Sequence, residues 1–362
     1  MESAIPSRLT LDRTEPVRMR TGWTPPSPAF SARFDDDVDT VVMAYLGLQY
    51  RGSTAPAVAT EAIAALRERA TRADGPAHRD AARYVDSSGY TNDLNILYWT
   101  DFGAYQRWSE DNLDWTDQTC HTSDEVGFFL EIATPSFDRF ETIFGGRKME
   151  GASVLSSGIS EEIAEHGYWG SARDRFPAAQ TDPLTPVGSL GFAYDGDLVI
   201  VTPHENMCLI RSGQDWAKTV DEPRERYVGT IEPVLAAGMK YLEDEGRTIG
   251  CYGNRYVSVV DDDGAELSKS YGTSWWHSLA ELEKWSKSHP THLKIFGTFG
   301  QYVKEFGGAV GLRLYHEVTV VAADQARFEY LRCHPRTGLL NAGAPRSAGT
   351  ESADPEAESV GG

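Results

Sequence analysis

At 362 residues the chain suits two domains or one large duplicated one, because a single core usually stops growing at roughly 250 to 300 residues. A formal charge of -20, from 34 Lys and Arg against 54 Asp and Glu, repels polyanions and acidic bilayers, so nucleic acid and membrane surfaces are set aside as partners. Apolar runs such as Leu198 to Val201 and Phe128 to Ala133 are too short to span a bilayer, and the N-terminus lacks a signal-peptide apolar core. The expectation is a soluble, cytoplasmic protein.

Residues 1 to 33, with Arg8, Arg13, Arg18, Arg20 and several prolines, read as an extended N-terminal arm. Val41 to Tyr50 reads as a buried strand, Thr60 as the N-cap of an amphipathic helix to about Thr71, and Leu94 to Trp99 as a second strand. A short helix near Tyr105 to Trp108 follows, then strand-like Gly127 to Ala133 and Phe137 to Phe144, broken at Thr134 and Pro135. Further on come strands at Leu198 to Thr202 and Met207 to Arg211, and a long helix from Pro223 with Tyr227, Ile231, Val234, Leu235, Met239 and Leu242 on its apolar face. Strands at Thr248 to Val260 and Leu267 to Trp276 flank the turn Asp261 to Gly264. Helices at Ser278 to Ser286 and Pro290 to about Phe306 precede a last strand, Leu312 to Val321. This rhythm predicts an α+β fold in which 34 to 185 and 186 to 340 repeat a split β-α-β unit, followed by a disordered tail from 341 to 362 rich in Ala, Gly, Ser, Glu and Pro.

Four cysteines, Cys120, Cys208, Cys251 and Cys333, form no C-x-x-C pair, so zinc, iron-sulfur and covalent c-type haem sites are not signalled; reduced, buried thiols are expected. No G-x-S-x-G, P-loop, convincing G-x-G-x-x-G or H-E-x-x-H is present.

Two histidines have settings that suit chemistry. His292 heads a helical stripe with Ile295, Phe296, Phe299 and Val303, and Pro290 fits the first turn. An imidazole on an apolar helix face is what axial ligation of haem iron needs, and it is also what a satisfied core histidine looks like. His316 interrupts an alternating strand face, Leu312, Leu314, Val318 and Val320. Burial would lower its pKa, leaving a group able to accept and donate a proton, or simply a structural histidine. Arg173 and Arg175 lie in the aromatic segment Glu165 to Pro177, where one could orient an anion or form an ion pair; Ser212, after the strand ending at Ile210, could face a pocket or cap a turn. His166 and His277 have aromatic neighbours and stand as further pocket candidates.

Across Val41 to Gly47, Asp74 to His78, Glu165 to Arg175, Leu209 to Trp216, Trp285 to Phe296 and Arg313 to Glu317, in order, the sequence resembles the aldoxime dehydratases. The resemblance runs from about residue 35 to 335. It implies a homodimer of the dimeric α/β barrel type, two ferredoxin-like halves around a haem pocket, with non-covalent haem b on His292. It also implies a distal catalytic His316, a substrate-binding Ser212, a required Arg175 (Arg173 lies two positions away) and a pocket-region acid at Glu141.

The implied reaction is dehydration of an aldoxime to a nitrile, with ferrous haem taking the oxime nitrogen. Protonated His316 would then assist the leaving oxygen before neutral His316 removes the C–H proton. About three extra residues near Lys304 to Gly308 depart from the family pattern without touching a motif. A peroxidase-like enzyme of the same barrel, or a haem carrier, is the alternative. The peroxidase G-x-x-D-G is not met, since Gly191 to Gly196 carries one residue too many.

Overall fold

The computed structural model describes residues 1 to 113, 125 to 308 and 310 to 343. In chain order the elements are β1 (Ala32–Arg33), β2 (Val42–Arg51), α1 (Ala57–Ala70), β3 (His78–Val85), β4 (Tyr90–Trp99), α2 (Phe102–Asn112), β5 (Val126–Ala133), β6 (Phe140–Phe144) and β7 (Gly158–Ile159). They continue with α3 (Ser171–Arg175), β8 (Gly191–Asp195), β9 (Leu198–Thr202), β10 (Met207–Asp215), α4 (Asp221–Arg226) and α5 (Glu232–Glu245). The last are β11 (Cys251–Val260), β12 (Glu266–Trp276), α6 (Leu279–Ser288), α7 (Pro290–Glu305), β13 (Arg313–Val321) and β14 (Ala326–Leu331).

The unbroken apolar run of β2 follows from burial on both faces. Met43 and Tyr45 point into one core, while Val42, Ala44, Leu46 and Leu48 point into another beneath α1 and α2. The sheet has twelve antiparallel strands among the described residues, ordered β6-β13-β10-β12-β11-β3-β4-β2-β5-β14-β9-β8. Phe144 at one end and Val201 near the other belong to the same inner cluster as Met43, Trp275 and Tyr315. Strands so far apart in the order can share a core only because the sheet curls on itself.

The order contains a repetition. In β3-β4-β2-β5 and in β11-β12-β10-β13, a β-α-β-β-α-β segment lays its strands down in the same relative sequence, and the two units join where β3 pairs with β11. Helices α1 and α2 cover the outer face of the first unit; α5, α6 and α7 cover that of the second. Ser278 caps α6 by accepting from the Glu281 N–H, and Pro290 opens α7 behind His289. The axes of α5 and α7 approach closely at Gly238, where a Cβ would stand 2.5 Å from Ile295 Cδ1.

Several elements differ from the reading of the sequence. Helix α1 starts at Ala57 behind Pro56, so Thr60 lies in its first turn rather than at its cap. The helix expected from Pro223 is two helices joined by a π turn at Tyr227–Ile231. Strands β3, β8 and β14 carry too many polar or glycine residues to show a period, and only their sheet neighbours make them strands. On α7, Phe296 does not join the buried stripe: it is 59% exposed, while Ile295, Phe299 and Val303 pack inward. The arm lies on the body, with Ala4, Ala29, Phe30 and Ala32 buried and the Arg18 and Met19 N–H groups bonded to Asp174. Of the cysteines, Cys208 and Cys251 are buried and Cys333 is half-buried; Cys120 and the tail from 344 onward lie outside the described residues. No described helix is long and apolar enough to cross a membrane.

Candidate active site

The site is built on the outer face of the second unit, under α7. Ser212 of β10 and His316 of β13 are register partners, and Ile143 of β6 is the partner of His316 on its other side. Directly opposed residues of an antiparallel pair share a face with Cβ atoms about 4.5 to 5.5 Å apart. Serine, imidazole and an aliphatic wall therefore stand in one row. Gly272 of β12 continues that row on the other side of Ser212, and a Cβ there would meet Met239 Sδ at 2.7 Å, so the glycine lets α5 close down on the sheet. Ser212, His316 and Ile143 all keep some accessible surface.

Burial lowers the pKa of His316 to about 4, and the charges of Arg175 and His292 push the same way. The imidazole is therefore neutral near pH 7. Arg175, at the end of α3, is clamped by Glu141: Nε donates to Oε2 at 2.5 Å and Nη2 to Oε1 at 2.9 Å. Its Nη1 donates to the Glu165 carbonyl at 2.9 Å and to Ser171 Oγ at 3.2 Å. Burial outweighs the arginine at Glu141, whose carboxyl is shifted upward. The same guanidinium charge, after burial, lowers His166.

His292 lies on α7 between two indoles, 4.6 Å from the Trp285 ring and 5.9 Å from the Trp169 ring, each edge to face. Burial shifts it toward the neutral form, partly offset by the Ser286 backbone, and Nδ1 is buried without a hydrogen-bond partner. Trp169, Leu293 and Phe296 beside it are 40%, 43% and 59% exposed, an apolar surface next to an imidazole. A neutral histidine with an unsatisfied ring nitrogen among flat apolar walls fits the demands of axial haem ligation.

The structure thus brings His292, His316, Ser212, Arg175 and Glu141 to one side of one sheet, with His166 close to Arg175. Arg173 faces elsewhere, donating to Glu283 at 3.0 Å and to the Pro183 carbonyl at 2.7 Å. His277 is also separate, its ring 4.8 Å from His204 and its Nδ1 3.3 Å from Glu281. Sequence reasoning missed Trp169 and Trp285 as the walls of His292, although both are tryptophans in segments it had singled out. Asp174, between the two arginines, is not an arginine's partner but holds the arm and accepts from Tyr168 Oη at 2.7 Å.

Two imidazoles, one on a helix and one on the sheet below it, with a hydroxyl beside the second and apolar walls around the first, have the chemistry expected of a haem-binding site. The chain belongs to the haem-containing dehydratase family, whose sequence profile matches residues 44 to 339. It is 43% identical to the aliphatic aldoxime dehydratase of Rhodococcus globerulus over 347 residues, 94% of this chain and 98% of that one. It is 30% identical to the phenylacetaldoxime dehydratase of Bacillus sp. (strain OxB-1) over 332 residues, 89% and 93% of the two chains. A crystal structure of an aldoxime dehydratase in complex with butyraldoxime superposes with a TM-score of 0.89 at 43% identity, covering 94% of this chain and 96% of that one.

Proposed function

We propose that this chain is a lyase that removes water from an aldoxime, R–CH=N–OH, to leave a nitrile, with His292 as the residue that would hold haem b and His316 as the acid-base group. The observation that carries this reading is the row Ser212–His316 lying on the sheet face that α7 and its His292 cover. Membership of the haem-containing dehydratases supports it, as do relatives named for aliphatic aldoximes and phenylacetaldoxime.

Haem held by His292 would supply, in its ferrous form, an electron-rich iron able to take an oxime nitrogen and weaken the N–O bond. The rest falls to the protein. Ser212 Oγ donates a hydrogen bond to the oxime oxygen and fixes its position beside His316. The leaving oxygen must depart as water, and the proton it needs equals the one the aldehydic carbon must lose. His316 moves that proton from carbon to oxygen, first as base and then as acid, so atoms balance without a second donor. The sequence reading had protonated His316 acting first. Burial, with the Arg175 and His292 charges, lowers the His316 pKa, which favours the neutral ring at the start. Burial maintains this state, and the Arg175 charge, held in place by Glu141, adds to it.

The repeated strand order supports two ferredoxin-like halves; a homodimeric barrel assembly and a cytoplasmic location belong to the same proposal. Reduced, haem-loaded protein given butyraldoxime under nitrogen should release butyronitrile, measured by gas chromatography. Peroxide-driven dye oxidation without nitrile would replace this reading with a peroxidase-like one.

A further inference from the structure

The reactive row has a counterpart on the other side of the sheet. One position along β10 and β13, Arg211 and Glu317 are register partners, next to Ser212 and His316 in sequence and facing the barrel interior. Arg211 is 2% exposed. It is held from three strands: Nη1 lies 2.7 Å from Asp80 Oδ2 of β3, it donates to Tyr98 Oη of β4, and Nε donates to Tyr315 Oη of β13 at 3.1 Å. Its guanidinium also lies 4.0 Å from the ring centroid of Tyr271.

Asp80 receives a second tie from His78 at 3.2 Å. Burial would raise the Asp80 carboxyl, but Arg211 and His78 hold it below the usual carboxylate range. Glu317 Oε2 accepts from the Ala152 N–H at 3.0 Å, in a corner where Gly151, at φ +62°, leaves room that a Cβ would fill 2.5 Å from the carboxylate. Its Oε1 is buried without a partner.

A buried cation needs fixed partners, and a strand residue cannot shift without its neighbour. We propose that Arg211, anchored by Asp80, Tyr98 and Tyr315, is a positioning residue for Ser212. First-unit strands β3 and β4 thereby set the geometry of a rung in the second unit. The proposal rests on the dehydratase reading of Ser212 and His316. It explains why a charged cluster occupies the apolar barrel core, where it touches nothing that reacts.

The test is a double-mutant cycle on the haem-loaded enzyme. Arg211→Lys keeps a cation but loses the fork that reaches three strands, and Tyr315→Phe removes one anchor with little change in packing. Misplacement of a catalytic group by about 1 Å costs on the order of 100-fold. Each single variant should therefore lower kcat by about 10- to 100-fold at nearly unchanged KM and an unchanged Soret band. In a Ser212→Ala background the further loss should shrink to less than about 3-fold, because the residue being positioned is gone. Losses that multiply in full with Ser212→Ala overturn the proposal, as does full activity in both variants. If Ser212→Ala itself has no effect, the fault lies with the assigned role of Ser212, a different failure. Should Arg211→Lys not fold, Tyr315→Phe alone decides.

Discussion

Replacing Glu141 with Gln removes one member of an ion pair whose side chains are 3% and 1% exposed. Deleting one partner of such a pair costs about 3 to 5 kcal/mol, because the other charge stays buried and uncompensated. Gln can still accept one N–H of Arg175, and that guanidinium keeps its bonds to the Glu165 carbonyl and Ser171. The lower end, about 3 kcal/mol, is therefore expected. Urea unfolding of the haem-free protein measures it directly, since haem would add its own binding energy. A second consequence is electrostatic: the unbalanced guanidinium should push His316 further below its already lowered pKa. The double replacement Glu141→Leu with Arg175→Met should recover most of the stability while leaving activity low. A loss below about 1 kcal/mol for Glu141→Gln would refute the reasoning, because it is what an exposed pair costs.

His292→Ala should leave a folded protein that no longer takes up haem, with the far-ultraviolet dichroism retained and the Soret band lost; tight haem binding by this variant would remove His292 from its role. Ser212→Ala should lower kcat by roughly 10- to 100-fold, the value of about 1.5 to 3 kcal/mol for a hydrogen bond to a group gaining charge. In the haem-free protein, His316 has a folded pKa of about 4 against an ordinary 6.5. Between those values the unfolded chain binds more protons, so the stabilisation is present above pH 6.5 and is lost as pH falls toward 4, by up to about 3 kcal/mol. His316→Leu should flatten that part of the stability curve, and an unchanged slope would contradict the burial of His316.

The β2 strand was legible because its apolar run is long, β13 because its residues alternate, and α7 because Pro290 and its stripe mark it; β10 was read only as far as Arg211, because Ser212 to Asp215 carry no apolar period although they continue the strand. The His316 face was read correctly from alternation alone, and that reading places His316 beside Ser212 once register is known. Register is not a local property. Nothing near Ser212 in sequence indicates that β13 lies beside it, or that Glu141, from β6, will clamp Arg175. Phe296 does share the His292 side of α7, its ring 5.4 Å from that of Trp169, but it stands exposed there, because a helical stripe says which residues share a side and not what covers them. The Asp80–Arg211–Glu317 cluster was invisible for a related reason: each charge looks like surface until the curl of the sheet encloses it.

The imidazole of His316 is the group proposed to move a proton between the carbon and the oxygen of the aldoxime. The most direct test of that role compares nitrile formation from butyraldoxime by reduced, haem-loaded wild-type protein and His316→Ala at pH 7. The wild type should produce butyronitrile, and the variant should keep its Soret band yet turn over about 10² to 10⁴ times more slowly. Equal rates from a variant with a normal haem spectrum, or no nitrile from the wild type, would contradict it.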